Sequence, residues 1–225
     1  MAQRTGEATP RDNIPLGQLS VEQFLRDYWQ RKPVLIRQAI ADFSPPIEAD
    51  ELAGLACATE VESRIVSGHP RRDPWQVTHG PFDEACFASL GERDWTLLVQ
   101  AVDHHFAEVA RLRDRFRFVP DWRLDDVMVS FAAPEGSVGP HYDQYDVFLL
   151  QGEGRRRWQI GERCDSSSPL LAHDELRLLA QFTPSDEYIL EPGDMLYLPP
   201  AVAHWGVAID PCTTFSIGFR APSHV

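Results

Sequence analysis

The sequence predicts a mainly β protein, an antiparallel sandwich or barrel preceded by a mixed α+β region. Two observations carry this. From about Phe118 onward, short runs rich in β-branched and aromatic residues alternate with Gly and Pro turns. Before that point, helical spacing and strand-like runs are mixed. The expected division is an N-terminal mixed region over residues 1–107, packing on a catalytic β core over 108–225.

Ser20 to Arg31 reads as a helix capped by Ser20, with Glu22 and Gln23 in its first turn. Val21, Phe24, Leu25 and Tyr28 form its apolar face, and Lys32-Pro33 stops it. Val34 to Ile36 is then a short buried strand. Asp50 to Ala58 is expected to be a second helix, capped by Asp50, and Glu60 to Val66 a strand. The apolar run Trp95 to Phe106 is read as a helix beside the sheet. His104 and His105 end it and interact with its dipole. In the second half, strands are expected at Asp126 to Ala132, Asp146 to Gln151, Arg155 to Ile160, Glu187 to Leu190, Met195 to Leu198 and Thr213 to Phe219. Gly152-Glu153-Gly154 turns the second of these into the third. The insert Ser166 to Ala180 is expected to carry a short helix at Asp174 to Ala180.

Composition excludes several classes. Of the 225 residues, 43% are hydrophobic, enough for a sizeable core. Repeats of fixed period are absent, which argues against solenoids and propellers. No apolar run approaches the ~20 residues of a membrane span. Met1 to Arg11 is polar, without the apolar stretch of a secretory signal, so a cytoplasmic protein is expected. Cys57, Cys86, Cys164 and Cys212 are far apart and form no CxxC pair, so a thiolate zinc site is not expected. The net charge of −13 disfavours nucleic acid and suits a basic protein partner, although it also serves solubility.

The chemistry-bearing pattern is His141-Tyr142-Asp143 followed by His204. In an extended chain, residues i and i+2 project to one face, roughly 6.6 Å apart, so both heads converge on one ion. Glu191-Pro192-Gly193-Asp194 is a turn. Met195 to Leu198 is a strand, and the Pro199-Pro200 corner then presents His204. Two histidines and one carboxylate make a facial triad, which leaves three positions of an octahedral iron open. Those positions suit a bidentate 2-oxo acid and O2.

The segments HYDQYDVFLLQGEGRRRW (His141 to Trp158) and EPGDMLYLPPAVAH (Glu191 to His204) resemble the JmjC branch of the cupin superfamily. YWQRKPVLIR (Tyr28 to Arg37) and FSIGFRAP (Phe215 to Pro222) are also similar to it. Within that branch the chain looks most like the bacterial ribosomal oxygenases that hydroxylate an arginine of a large-subunit ribosomal protein. The resemblance implies a jelly-roll double-stranded β-helix with flanking helices. It also implies Fe(II) on His141, Asp143 and His204, 2-oxoglutarate as co-substrate, O2, and a basic ribosomal protein as substrate. Members of that family usually run on beyond this point with dimerising helices and a winged-helix-like end. A homodimer is therefore expected where such a region is present.

A 2-oxoglutarate enzyme needs a cation for the distal carboxylate, and Arg155-Arg156-Arg157 offers three. On a strand, Arg156 shares a face with Trp158 and Ile160, so Arg156 is expected to point inward. The resemblance selects the same residue. By similarity, Ser130 adds a hydroxyl. Tyr145, Asp146, Asp125 and Asp126 are expected beside the cleft, where a carboxylate would pair with a guanidinium. Two rival readings stand beside this one: a JmjC oxygenase acting on histidine or methyl-lysine, and a metal-binding cupin or assembly factor without turnover.

Overall fold

The computed structural model describes residues 14–69 and 73–221. The stretch Met1 to Arg11 and Pro222 of the closing motif lie outside them. The elements run α1 (Val21–Asp27), β1 (Val34–Ile36), α2 (Ala49–Leu55), β2 (Ser63–His69), β3 (Asp73–His79), α3 (Glu84–Ser89) and β4 (Trp95–Val99). They continue with α4 (Ala107–Asp114), β5 (Leu124–Ala132), β6 (Tyr145–Gln151), β7 (Arg156–Arg163), β8 (Asp186–Leu190), β9 (Met195–Leu198), β10 (Val202–Ala208) and β11 (Cys212–Arg220).

The strands make two sheets. The larger has the order β1-β9-β6-β11-β5-β4-β2-β3 and the smaller β10-β7-β8. Every pairing between named strands is antiparallel. The inner faces of the two sheets enclose a cavity lined by residues from both, including Ser130, Leu149, Ser216, Arg156, Trp158 and His204. This is a mainly β double-stranded β-helix with flanking helices.

Side-chain alternation divides the large sheet into two apolar regions. On β6, Phe148 and Leu150 join the outer core with Phe24, Phe116 and Tyr197, while Val147 and Leu149 join the inner one with Trp158, Leu196 and Leu198. Phe148 is fully buried and meets Tyr197, Phe116 and Phe24 with ring centroids 5.0, 5.1 and 5.4 Å away. The helices cover this outer face. Between them runs a buried polar thread: Tyr197 Oη donates to Asp146 and accepts from the Gln30 N–H, and Gln30 Nε2 donates to Asp146 at 3.0 Å. Burial raises the pKa of both Asp146 and Tyr197.

Several expected elements differ. α1 has the Ser20 capping box but ends at Asp27, before Lys32-Pro33. The chain turns there because Trp29 leaves the helix to stack on Tyr197 and Phe148, with Gln30 left-handed at φ 59°. Leu25 is therefore exposed, and Phe24 alone in that helix is buried. α2 is capped by Glu48 rather than Asp50, with the Glu48 N–H donating to Glu51. Trp95 to Phe106 is not a helix: it holds β4 and a 3-10 turn at Val102–His104. A short apolar run buried on both faces looks alike as helix or strand, and here pairing with β2 and β5 decides. His104 thus ends a single turn and lies 3.8 Å from Asp103. The insert carries no helix at 174–180; a bridge between Leu170 and Leu179 orders it instead. All four cysteines are free. Among the described residues no helix is long and apolar enough to cross a membrane.

Phe24→Ala should cost about 3–5 kcal/mol in urea unfolding, the cost of a large aromatic cavity. Leu25→Ala, one residue on, should stay within about 0.5 kcal/mol. Equal losses would mean that the helix does not present the face described.

Candidate active site

The cavity between the sheets, about 390 Å³, holds His141, Asp143 and His204 near one another. One nitrogen or oxygen from each lies within 4.8 Å of the other two. His141 and His204 face each other across an antiparallel bridge outside the main pairing, with N–H to O distances of 3.0 and 2.8 Å in the two directions. Their ring centroids are 4.3 Å apart. Asp143 Oδ2 is 3.8 Å from His141 Nε2 and 3.7 Å from His204 Nε2.

Backbone carbonyls set the histidine tautomers. His141 Nδ1 lies 2.9 Å from the Gly139 carbonyl, and His204 Nδ1 lies 2.9 Å from that of Val202. A carbonyl only accepts, so each Nδ1 carries the proton and each Nε2 lone pair faces Asp143. Burial and the neighbouring His141 hold the His204 pKa down to about 4, so this imidazole is neutral near pH 7. His141 is presented by Gly139-Pro140. Gly139 has φ +78°, and a Cβ there would lie 2.6 Å from Leu178 Cδ2. His204 sits within β10 rather than on a free corner, paired with Ile160 of β7. The backbone of Asp143 is tied to the Ala201 N–H at 2.7 Å.

The parity argument for the three arginines holds: along β7, Arg156, Trp158 and Ile160 are buried, while Arg157 and Gln159 are partly exposed. Arg155, just before β7, pairs with Asp210 at 2.8 Å. Arg156 Nη1 donates to Ser130 Oγ at 3.4 Å and to Thr214 Oγ1 at 3.2 Å, and its guanidinium lies 5.5 Å from the Trp158 ring centre. Its Nε has no partner, and no ion pair reaches it among the described residues. Desolvation lowers its pKa. A buried guanidinium held only by hydroxyls and a ring lacks the counter-charge that would offset its desolvation. Thr214 escaped the sequence reading, although the alternation Thr214, Ser216, Gly218 against Phe215, Ile217, Phe219 carries the signal.

At the mouth, Asp125 accepts from Tyr145 Oη at 3.0 Å and pairs with Arg220 at 2.6 Å. Asp126 Oδ2 accepts from Gln100 Nε2 at 2.6 Å and from the Ala101 N–H at 3.0 Å. Burial raises the Asp126 pKa despite these bonds. Asp146 is not in the cleft. It faces the outer core at 0% exposure, because on β6 it shares parity with Phe148 while Tyr145 and Val147 face the cavity.

Fold and site together define a member of the JmjC-domain family: the family model described as JmjC domain matches residues 111–225, and the chain belongs to that family. It is 47% identical over 205 residues to the ribosomal protein uL16 3-hydroxylase of Escherichia coli, covering 91% of this chain and 54% of that one. It is 42% identical over 209 residues to a probable ribosomal oxygenase of Haemophilus influenzae, covering 91% of this chain and 50% of the other. A solved structure of the E. coli ribosomal oxygenase YcfD, in complex with cobalt and 2-oxoglutarate, superposes with a TM-score of 0.82 at 46% identity, covering 92% of this chain and 53% of that one. The chain spans about half the length of these relatives.

Gly206 leaves room for Trp158: a Cβ there would lie 2.7 Å from the indole. Gly206→Ala should therefore destabilise the fold by about 1–3 kcal/mol and change the tryptophan emission. An unchanged urea midpoint and spectrum would contradict the packing described.

Proposed function

We propose that this chain is the catalytic unit of a cytoplasmic Fe(II)- and 2-oxoglutarate-dependent protein hydroxylase acting on an arginine of a basic large-subunit ribosomal protein. The observation that carries it is Arg156, a buried cation without a carboxylate, facing the same cavity as the His141, Asp143 and His204 cluster. A histidine pair alone would serve many metals. A dedicated anion site beside it points to a carboxylate co-substrate that also reaches the metal.

The residues fit this pair of ligands. His141 Nε2, His204 Nε2 and Asp143 Oδ2 would hold the iron on one face, and the cobalt of the E. coli relative supports a metal there. Arg156, with Ser130 and Thr214 beside it, would hold the distal carboxylate of 2-oxoglutarate. Together with O2 and 2-oxoglutarate, which ends as succinate and CO2, bound iron supplies the conversion of a C–H bond to C–OH. The chain does the rest: Val147, Leu149 and Trp158 keep the reacting space apolar, and the two carbonyl-held tautomers keep both Nε2 atoms free.

The substrate reading rests on the relatives and on the cleft mouth. Asp126 is half-buried with one oxygen spent on Gln100 and Ala101. A guanidinium arriving from the cleft would stabilise its ionised form and offset the cost of burial. A net charge of −13 attracts a basic protein at long range. The E. coli relative's name makes uL16 the first substrate to test.

The test is to incubate the protein with Fe(II), 2-oxoglutarate, O2 and peptides from basic ribosomal proteins, then locate added oxygen by mass spectrometry. One oxygen on an arginine is expected; oxygen found only on histidine or lysine would overturn the arginine assignment. Absence of succinate as well would favour a metal-binding factor without turnover. Two substitutions sharpen the reading. Asp143→Ala should abolish succinate formation with the fold retained; turnover at the wild-type rate would remove Asp143 from the ligand set. Arg156→Gln should raise the 2-oxoglutarate requirement by about one to two decades, as loss of a charge-assisted pair implies. Arg155→Gln and Arg157→Gln should change it far less, and equal effects at all three would refute the inward placement.

A further inference from the structure

The cavity does not end at the metal cluster and Arg156. Its floor runs across the large sheet onto β4 and β2, where Thr96, Leu98, Gln100, Arg64 and Val66 line it. Pairing fixes a row: Thr214 is opposite Ser130, Ser130 opposite Leu98, and Leu98 opposite Arg64. Arg64 thus lies two strand spacings from Ser130, roughly 10 Å, a span of about three residues of extended peptide.

Two polar groups on this extension lack partners. The Thr96 hydroxyl is 1% exposed and bonded to nothing, although it lines the cavity. Arg64 is half-buried, and its side chain makes no ion pair or hydrogen bond among the described residues. Among the described residues, none of the carboxylates that line the cavity pairs with Arg64. Glu175 pairs with His79, which stands opposite Arg64 on β3, Asp125 pairs with Arg220, and Asp126 is held by Gln100 and Ala101. The extension therefore presents a guanidinium and a hydroxyl with no acceptor, flanked by the apolar Leu98 and Val66.

We propose that Arg64 and Thr96 form a subsite for the polypeptide flanking the oxidised residue, binding its acceptor oxygens two to four residues away and so setting which sequence is accepted. The proposal rests on the hydroxylase reading above. The oxygens are either main-chain carbonyls or a side-chain carboxylate, since a guanidinium donates to both. Arg156 and Arg64 then divide the labour. One holds the co-substrate under the reacting centre, and the other holds the chain that delivers the side chain.

The experiment compares wild type with Arg64→Gln, Arg64→Lys and Thr96→Val. It reads the dissociation constant of uL16 peptides from the cobalt- and 2-oxoglutarate-loaded protein, and separately peptide-independent succinate formation with iron. Arg64→Gln should weaken peptide binding about tenfold or more. Arg64→Lys should fall between it and wild type, and Thr96→Val should weaken binding severalfold. Succinate formation without peptide and its 2-oxoglutarate dependence should stay at wild-type values. If the effect of Arg64→Gln disappears on a peptide whose acidic residues are replaced by alanine, the acceptor is a carboxylate; if it persists, the acceptor is main chain. Unchanged peptide binding in Arg64→Gln would overturn the proposal, and so would an equal rise in the 2-oxoglutarate requirement. Failure of the hydroxylase reading would show separately, as no succinate from wild type.

Discussion

Strands β6 and β11 separate two environments that cannot mix. One face of this pair is an aromatic core with Phe148, Phe215 and Phe219 at 0% exposure. The other faces the cavity with Val147, Leu149 and Ser216, and sets Thr214 against Arg156. The period of two along a strand keeps the sets apart, and a slip of one residue would exchange them completely. Everything at the site hangs on this register. It sets Thr214 opposite Ser130 on β5, and Arg156 Nη1 meets both hydroxyls. It also turns Asp146 away from the cavity and into the thread with Tyr197 and Gln30.

The electrostatics of the cavity follow from what it lacks. A guanidinium as buried as Arg156 is costly without a counter-charge, and two hydroxyls and an indole offset only part of that cost. The site is thus strained towards an anion. Beside it, the imidazoles of His141 and His204 share one carboxylate, and burial keeps His204 neutral. Arg156 and the histidine–carboxylate cluster sit in one cavity of about 390 Å³. A ligand with a carboxylate at one end and metal-chelating oxygens at the other satisfies both demands at once.

Much of this was legible in the sequence, for physical reasons. The proximity of His141, Asp143 and His204 is legible in two ligand-type residues at i and i+2 and a third after a rigid Pro-Pro corner, and the burial of Arg156 in its parity with Trp158 and Ile160. β1 and β9 were placed to the residue. Two of the differences share a cause: burial on both faces erases the periodic signal. That made Trp95–Val99 look helical, and it left β10 unread, where Val202, Ala203, His204, Gly206, Val207 and Ala208 are all buried. The early end of α1 was hidden for another reason, since the stacking of Trp29 on Tyr197 joins residues far apart in the chain. Asp146 leaves the cleft because it shares the parity of Phe148 on β6, while Tyr145 and Val147 face the cavity.

If one cavity takes a metal and a dicarboxylate together through the cluster and Arg156, binding of the two is coupled. Calorimetric titration of 2-oxoglutarate into the protein, with and without one equivalent of cobalt, tests it directly. The account expects one 2-oxoglutarate per chain, bound at least tenfold more tightly when cobalt is present. Binding of equal strength without the metal, or none with it, would contradict the account.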